Sequence, residues 1–162
     1  MPDQITAAAG ALVRAERTKT RIRLISGDHP DMDMTDAYAV QARVVATKDA
    51  AGATRVGWEI GLTSRAMQQA LGIDIPDSGV LFNDMVFPTG GRVPAGRFIG
   101  HRVEAEIAFV LKSYITGAAT RTQVIAATDH VYPALEILDT RILRTDPDTG
   151  APRKVFDTIG FD

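Results

Sequence analysis

The stretch at 100–111, GHRVEAEIAFVL, joined further on by YPALEILD at 132–139, decides how this chain is read. Both runs have the composition of β-strands. Glu104 and Glu106 are two residues apart, so their side chains leave the same face of a strand. Val103, Ala105, Ile107 and Phe109 alternate with them and are expected to point the other way, into a core. Glu136, in the second run, is the third strand glutamate. Glutamate is depleted in strands, and two carboxylates side by side on one face repel each other. A hard divalent cation such as Mg²⁺, which prefers carboxylate and water oxygens, offsets that repulsion. A solvated strand face, where carboxylates cost little, is the alternative, and clustered charge occurs in both settings.

The rest of the composition narrows the field. The chain has 162 residues, 45% apolar and 23% charged, which suits one globular domain with a small N-terminal layer. Net charge is −2, from 20 acidic and 18 basic residues, with no basic run or aromatic–basic interleave that suggests nucleic acid. Cysteine is absent, which excludes disulfides, thiolate metal sites and a cysteine nucleophile. The N-terminal stretch lacks the basic-then-apolar layout of a signal peptide, and no apolar run approaches a membrane span. The expectation is a cytoplasmic protein with no membrane or nucleic-acid partner.

Periodicity predicts a helix over 5–25 and a second over 36–49, N-capped by Thr35. A short strand is expected at 55–60, then a helix capped by Thr63 or Ser64 and stopped at Gly72, and a strand at 79–82. Beyond residue 102 the pattern is strand (103–112), turn, short helix (122–128) and strand (131–138). Helices first and strands later argue for an α+β architecture rather than alternating βαβ units. A helical region over 1–76 and a β-rich region over 77–162 follow from that order.

Other motifs are weaker. Asp146, Asp148 and Gly150 in DPDTG resemble the start of a calcium loop, but the later bidentate glutamate is missing, so a plain turn is expected. His29, His101 and His130 are scattered; His101, three residues before Glu104, is either a surface residue or an approach to the carboxylates from the strand entrance.

In combination, GWEIGLTSRAMQ (57–68), IDIPDSGVLFNDM (73–85), RVEAEIAFVL (102–111), YPALEILDTRI (132–142) and RKVFDTI (153–159) resemble the 2-keto-4-pentenoate hydratase group of the fumarylacetoacetate hydrolase superfamily. The resemblance spans nearly the whole chain. It implies that Glu104, Glu106 and Glu136 bind Mg²⁺ or Mn²⁺, and that Asp77, in Pro76-Asp77-Ser78-Gly79, is a catalytic acid–base residue; turn formation is the other role those four residues suit. It also implies a small 2-oxo acid substrate, held by the metal through its carboxylate and 2-oxo oxygens, and hydration of its distal double bond. TDPDTGAPRKVFDTI (145–159) is similar to the branch that handles 2-oxo-hept-4-ene-1,7-dioate in homoprotocatechuate degradation. Family members are typically homo-oligomers. The substrate-binding residues are unknown, although Arg141 is one candidate for the second carboxylate.

Two departures stand out. The family motif G-x-K-I-G-L-T-S carries an active-site lysine where this chain has Glu59, so an anion replaces a cation and impaired catalysis is expected, unless Glu59 turns outward. Similarity stops after Ile159, and the family's active-site serine is Gly160 here. The resemblance thus implies a fumarylacetoacetate hydrolase-like β-rich core that is incomplete at its C-terminus, with open strand edges. Three functions follow: a metal-dependent hydratase, a 4-oxalocrotonate decarboxylase-like enzyme, or a non-catalytic truncated homologue that binds metal or a partner subunit.

Overall fold

The computed structural model describes residues 2–159, so Gly160 lies outside the described residues. Helices and strands are both present, an α+β arrangement. The chain divides into two compact units, one of residues 1–100 with 139–162, the other of residues 101–138.

In the first unit, α1 (Pro2–Thr18) packs on α3 (Met34–Ala50). Ala8, Ala9, Leu12 and Ala15 form the buried stripe of α1, and Ala37 and Val40 are wholly buried on α3. Small side chains on both helices allow close approach of their axes. Leu24, the N-cap of α2 (Ile25–Asp28), and Ile25 within it, with Ile142, Phe156 and Ile159, complete the core.

The first helix is shorter than its periodicity predicts. It stops at Thr18 because Lys19 takes a left-handed backbone (φ 54°). The next residues run extended, and Ile22 pairs in parallel with Ile142: Ile22 N–H donates to Arg141 O at 3.0 Å and Leu143 N–H to Ile22 O at 2.9 Å. A tertiary pairing more than a hundred residues away has overridden the helical pattern. The cap of α3 also moves, from Thr35 to Asp33, whose carboxylate accepts from the amides of Thr35 (2.7 Å) and Asp36 (3.0 Å) while Asp36 accepts from the Asp33 amide.

The strands β1 (Arg55–Glu59) and β2 (Gly79–Phe82) pair antiparallel, with Trp58 opposite Val80 and Glu59 opposite Gly79. Between them lies α4 (Arg65–Leu71), ended by Gly72 in the left-handed conformation (φ 68°) that a residue with Cβ adopts only at a cost. Residues 145–152 form the expected turn. Asp146 accepts from the Asp148 and Thr149 amides and the Thr149 hydroxyl, and pairs with Arg23 at 2.9 Å. The Thr149 amide, with the Asp148 amide, the Thr149 hydroxyl and Arg23, holds the Asp146 carboxyl below its ordinary range.

The second unit is a two-stranded sheet of β3 (His101–Leu111) and β4 (Thr128–Asp139), joined through α5 (Arg121–Ala127). Lys112 N–H donates to Ala127 O at 2.8 Å, so the end of β3 meets the start of β4. Thr120 caps α5 by accepting from the Gln123 amide. The core expected beneath Val103, Ile107 and Phe109 is not formed: these side chains are exposed, Phe109 by 62% and Ile107 by 66%. On β4, Leu135 is exposed by 74%. Alternation along β3 holds as expected, but two strands have no second layer of their own to bury a face against.

Asp157 is a fully buried carboxylate of the first unit, with 0% exposure. It accepts from the Ser26 amide (2.8 Å), the Ser26 hydroxyl (2.6 Å) and the Lys154 amide (2.9 Å), tying the segment after β4 to α2. Asp157→Ala leaves those donors unsatisfied and is expected to lower unfolding free energy by about 3 kcal/mol in urea denaturation. A loss under about 1 kcal/mol would contradict that role.

Candidate functional site

Strand alternation sends Glu104 and Glu106 to one face of β3, and Glu136 of β4 joins them. Each offers a carboxylate oxygen, and the three oxygens lie within 4.8 Å of one another. Glu104 and Glu106 are exposed and Glu136 is half-buried. Two oxygens bound to one Mg²⁺ at about 2.1 Å are at most about 4.2 Å apart, and around Ca²⁺ at 2.3–2.6 Å about 5 Å apart. The triad therefore already spans a calcium-sized shell and reaches a magnesium-sized one by small rotations of exposed side chains. An all-oxygen, anionic donor set of this kind suits a hard divalent cation and leaves coordination positions for water or a chelating ligand.

His101 does not share that face. Two residues before Val103 in the same strand, it falls on the apolar side by alternation. His130 lies on β4 with Nδ1 2.7 Å from Asp129 and Nε2 against the Tyr132 hydroxyl.

Asp77 and Glu59 belong to the first unit. Beyond the last pair of the β1–β2 ladder, Gly61 N–H donates to Asp77 O (3.2 Å) and Asp77 N–H to Gly61 O (3.1 Å), so the pairing continues two residues past Glu59–Gly79. Period-two alternation then puts the side chains of Glu59 and Asp77 on the same face. Asp77 folds over Gly61: a Cβ there would stand 2.2 Å from Asp77 Oδ1 and 3.2 Å from Glu59 Oε1, which is why the position is glycine. Glu59 is half-buried rather than turned fully outward. After Gly61 the chain turns at Leu62, another left-handed residue (φ 53°), whose carbonyl accepts from Gln68 Nε2 at 2.6 Å. Gln41 of α3 anchors the next segment by donating to Ser78 O.

Asp77 Oδ1 is buried without a hydrogen-bond partner. Burial raises the Asp77 pKa above its ordinary value, against the opposing pull of the backbone amides of Asp77 and Gly61. The carboxyl borders a cavity of about 210 Å³ whose wall includes Met34, Tyr38, Ile73, Ile75 and Ile159. The sequence offers no signal for this cavity, because its residues come from α3, the loop before β2 and the segment after β4. Arg141 is at 3.3 Å from Glu16 of α1.

No protein-family model matches the chain. Among curated relatives, it is 48% identical over 155 residues to 2-oxo-hept-4-ene-1,7-dioate hydratase of Escherichia coli, a match covering 95% of this chain and 58% of that protein. It is 41% identical over 142 residues to 2-keto-4-pentenoate hydratase of Paraburkholderia xenovorans, covering 87% of this chain and 53% of the relative. The fold matches that of 4-oxalocrotonate decarboxylase from Pseudomonas putida G7, solved with magnesium and adipate, with a TM-score of 0.83 and 33% identity, over 94% of this chain and 62% of the other. Over the matched residues the chain is similar to 2-oxo-4-enoate hydratases and to 4-oxalocrotonate decarboxylase. It spans little more than half the length of the curated relatives it matches.

A carboxyl whose folded pKa is raised contributes stability that is complete below the unfolded pKa and is lost as pH rises through the folded one. Asp77→Asn is therefore expected to melt a few degrees higher than the native chain at about pH 7, with no difference at about pH 3, where both side chains are neutral. Equal melting temperatures at both pH values, read by circular dichroism, would contradict the desolvated carboxyl.

Proposed function

We propose that the chain carries the metal site and proton-transfer residue of a metal-dependent hydratase acting on a 2-oxo-4-enoic diacid in aromatic-compound catabolism. The observation that supports this reading best is the meeting of Glu104, Glu106 and Glu136 within 4.8 Å, in a chain 48% identical to 2-oxo-hept-4-ene-1,7-dioate hydratase. These three glutamates would hold Mg²⁺ or Mn²⁺. Bound there, the ion would supply Lewis-acid polarisation of a 2-oxo group and an anchor for the adjacent carboxylate.

This chain's own part in the chemistry is proton transfer. Asp77 is the residue assigned to move a proton, and its carboxyl borders a cavity walled by isoleucine, methionine and tyrosine side chains. A pKa raised by burial favours the protonated form that a proton donor needs. Glu59, where the family motif has lysine, removes a cation and is expected to slow the reaction. The fold is assigned to a partial fumarylacetoacetate hydrolase-like core. The exposed apolar side of β3 and β4 is in keeping with that assignment. The same reading takes a small 2-oxo acid as partner, a homo-oligomer as the working assembly and the cytoplasm as the compartment; among the described residues no helix is long and apolar enough to cross a membrane.

A decarboxylase acting on a similar 2-oxo acid is favoured by one observation, the match to 4-oxalocrotonate decarboxylase at a TM-score of 0.83. Mass spectrometry separates the two. With Mg²⁺ and 2-oxo-hept-4-ene-1,7-dioate, the hydratase reading expects a product that has gained water. Loss of carbon dioxide from 4-oxalocrotonate would transfer the assignment to the decarboxylase. Neither product, with metal binding intact, would leave the non-catalytic homologue. In the same assay Glu59→Lys is expected to raise the hydration rate by about tenfold or more, within the range of acid–base effects; an unchanged rate would contradict the role given to Glu59.

A further inference from the structure

We infer that Asp139 is a positioning residue for the three glutamates: its carboxylate clamps the start of β3 to the end of β4 and so sets the register on which their convergence depends. Asp139 is the last residue of β4, three after Glu136. Its Oδ1 accepts from the amides of Ile99 (2.8 Å) and Gly100 (3.0 Å), the two residues that run into β3, and Glu104 follows four residues further on. Asp139 is buried, so both bonds are shielded from competing water. Alternation puts its side chain on the opposite face of β4 from Glu136, so it supports the site without being one of its ligands.

Strand periodicity shows why a clamp is needed. Side chains change face at every residue, so a slip of β3 by one position would carry Glu104 and Glu106 away from Glu136. Burial of an apolar face is what usually fixes register, and here that face is exposed. At the far end of the sheet the backbone supplies a tie, Lys112 N–H donating to Ala127 O at 2.8 Å. At the glutamate end a side chain supplies it. Arg21 adds a second tie there. Its Nε donates to Thr140 O at 3.3 Å, and its guanidinium lies against Gly100, where a Cβ would fall on Nη2. One cation thus touches the residue before β3 and the residue after β4, and glycine at position 100 leaves room for it.

The clamp rests on the metal reading of the triad, and the native chain titrated alongside the variants separates the two. In calorimetric titration with Mg²⁺, Asp139→Ala is expected to bind at least about tenfold more weakly than the native chain. Asp139→Asn keeps an oxygen acceptor for both amides and is expected to restore most of the affinity. Asp157→Ala is the control. It removes another buried carboxylate that accepts from two amides, those of Ser26 and Lys154, but joins neither strand end; it is expected to keep native affinity while losing stability. Amide hydrogen exchange on the native chain decides the matter if Asp139→Ala does not fold. An ion that binds only the in-register state must slow opening of the clamp, so saturating Mg²⁺ is expected to slow exchange at Ile99 and Gly100 by about tenfold or more. Native affinity in Asp139→Ala, an equal loss in Asp157→Ala, or exchange at Ile99 and Gly100 unmoved by bound Mg²⁺ would overturn the clamp. A native chain that takes up no Mg²⁺ would overturn the metal reading, and the clamp's role with it.

Discussion

The repulsion among Glu104, Glu106 and Glu136 is the constraint on which the account turns. Unit charges 4 Å apart in water interact by about 1 kcal/mol, so three carboxylates within 4.8 Å on a solvated face are tolerated but not favoured. They sit on a sheet of two strands, an arrangement of marginal stability by itself. Their placement makes no structural sense as packing, since none of them fills a core. An oxygen cage is the chemical role proposed for them, because a divalent charge among them attracts each carboxylate and outweighs their mutual repulsion. The fold's contribution is to hold β3 and β4 so that period-two alternation brings three carboxylates from two strands to one point.

The first unit solves a different problem, the placement of a carboxyl away from water. Here a glycine without a Cβ, a left-handed turn at Leu62 and the Gln41–Ser78 hydrogen bond seat Asp77 over Gly61. The helices behind it are held by charge at their edges as well as by their alanine seam. Glu16 pairs with Lys48 at 2.7 Å and with Arg141, and although burial works against its ionisation, Arg141 and Lys48 prevail and its pKa is lowered. The segment after β4 returns to this unit through Ile142, Asp146 and Asp157.

What was legible in the sequence was local. The glutamate alternation in 101–111, the left-handed stop at Gly72, the short strands at 55–59 and 79–82 and the turn at 145–152 each depend on neighbours a few residues away. What was not legible depends on distant partners. Lys19 ends α1 where Ile22 is needed by Ile142, a demand no window of helical periodicity contains. Asp33 outcompeted Thr35 as a cap because a carboxylate can serve two amides at once. The apolar side of β3 has the pattern of a core face, but alternation reveals which side chains share a face, not whether anything covers it. Glu59 was visible as a departure, yet its proximity to Asp77 follows only from the register of β1 on β2.

The most direct test of the central claim is a calorimetric titration of the full chain with Mg²⁺ and Mn²⁺, compared with Glu104→Gln, Glu106→Gln and Glu136→Gln. One saturable site per chain is expected in the native protein and at least tenfold weaker binding in each variant, because removing any one charge leaves an incomplete cage. Native and variant isotherms that coincide, or a native chain that takes up neither ion, would contradict it.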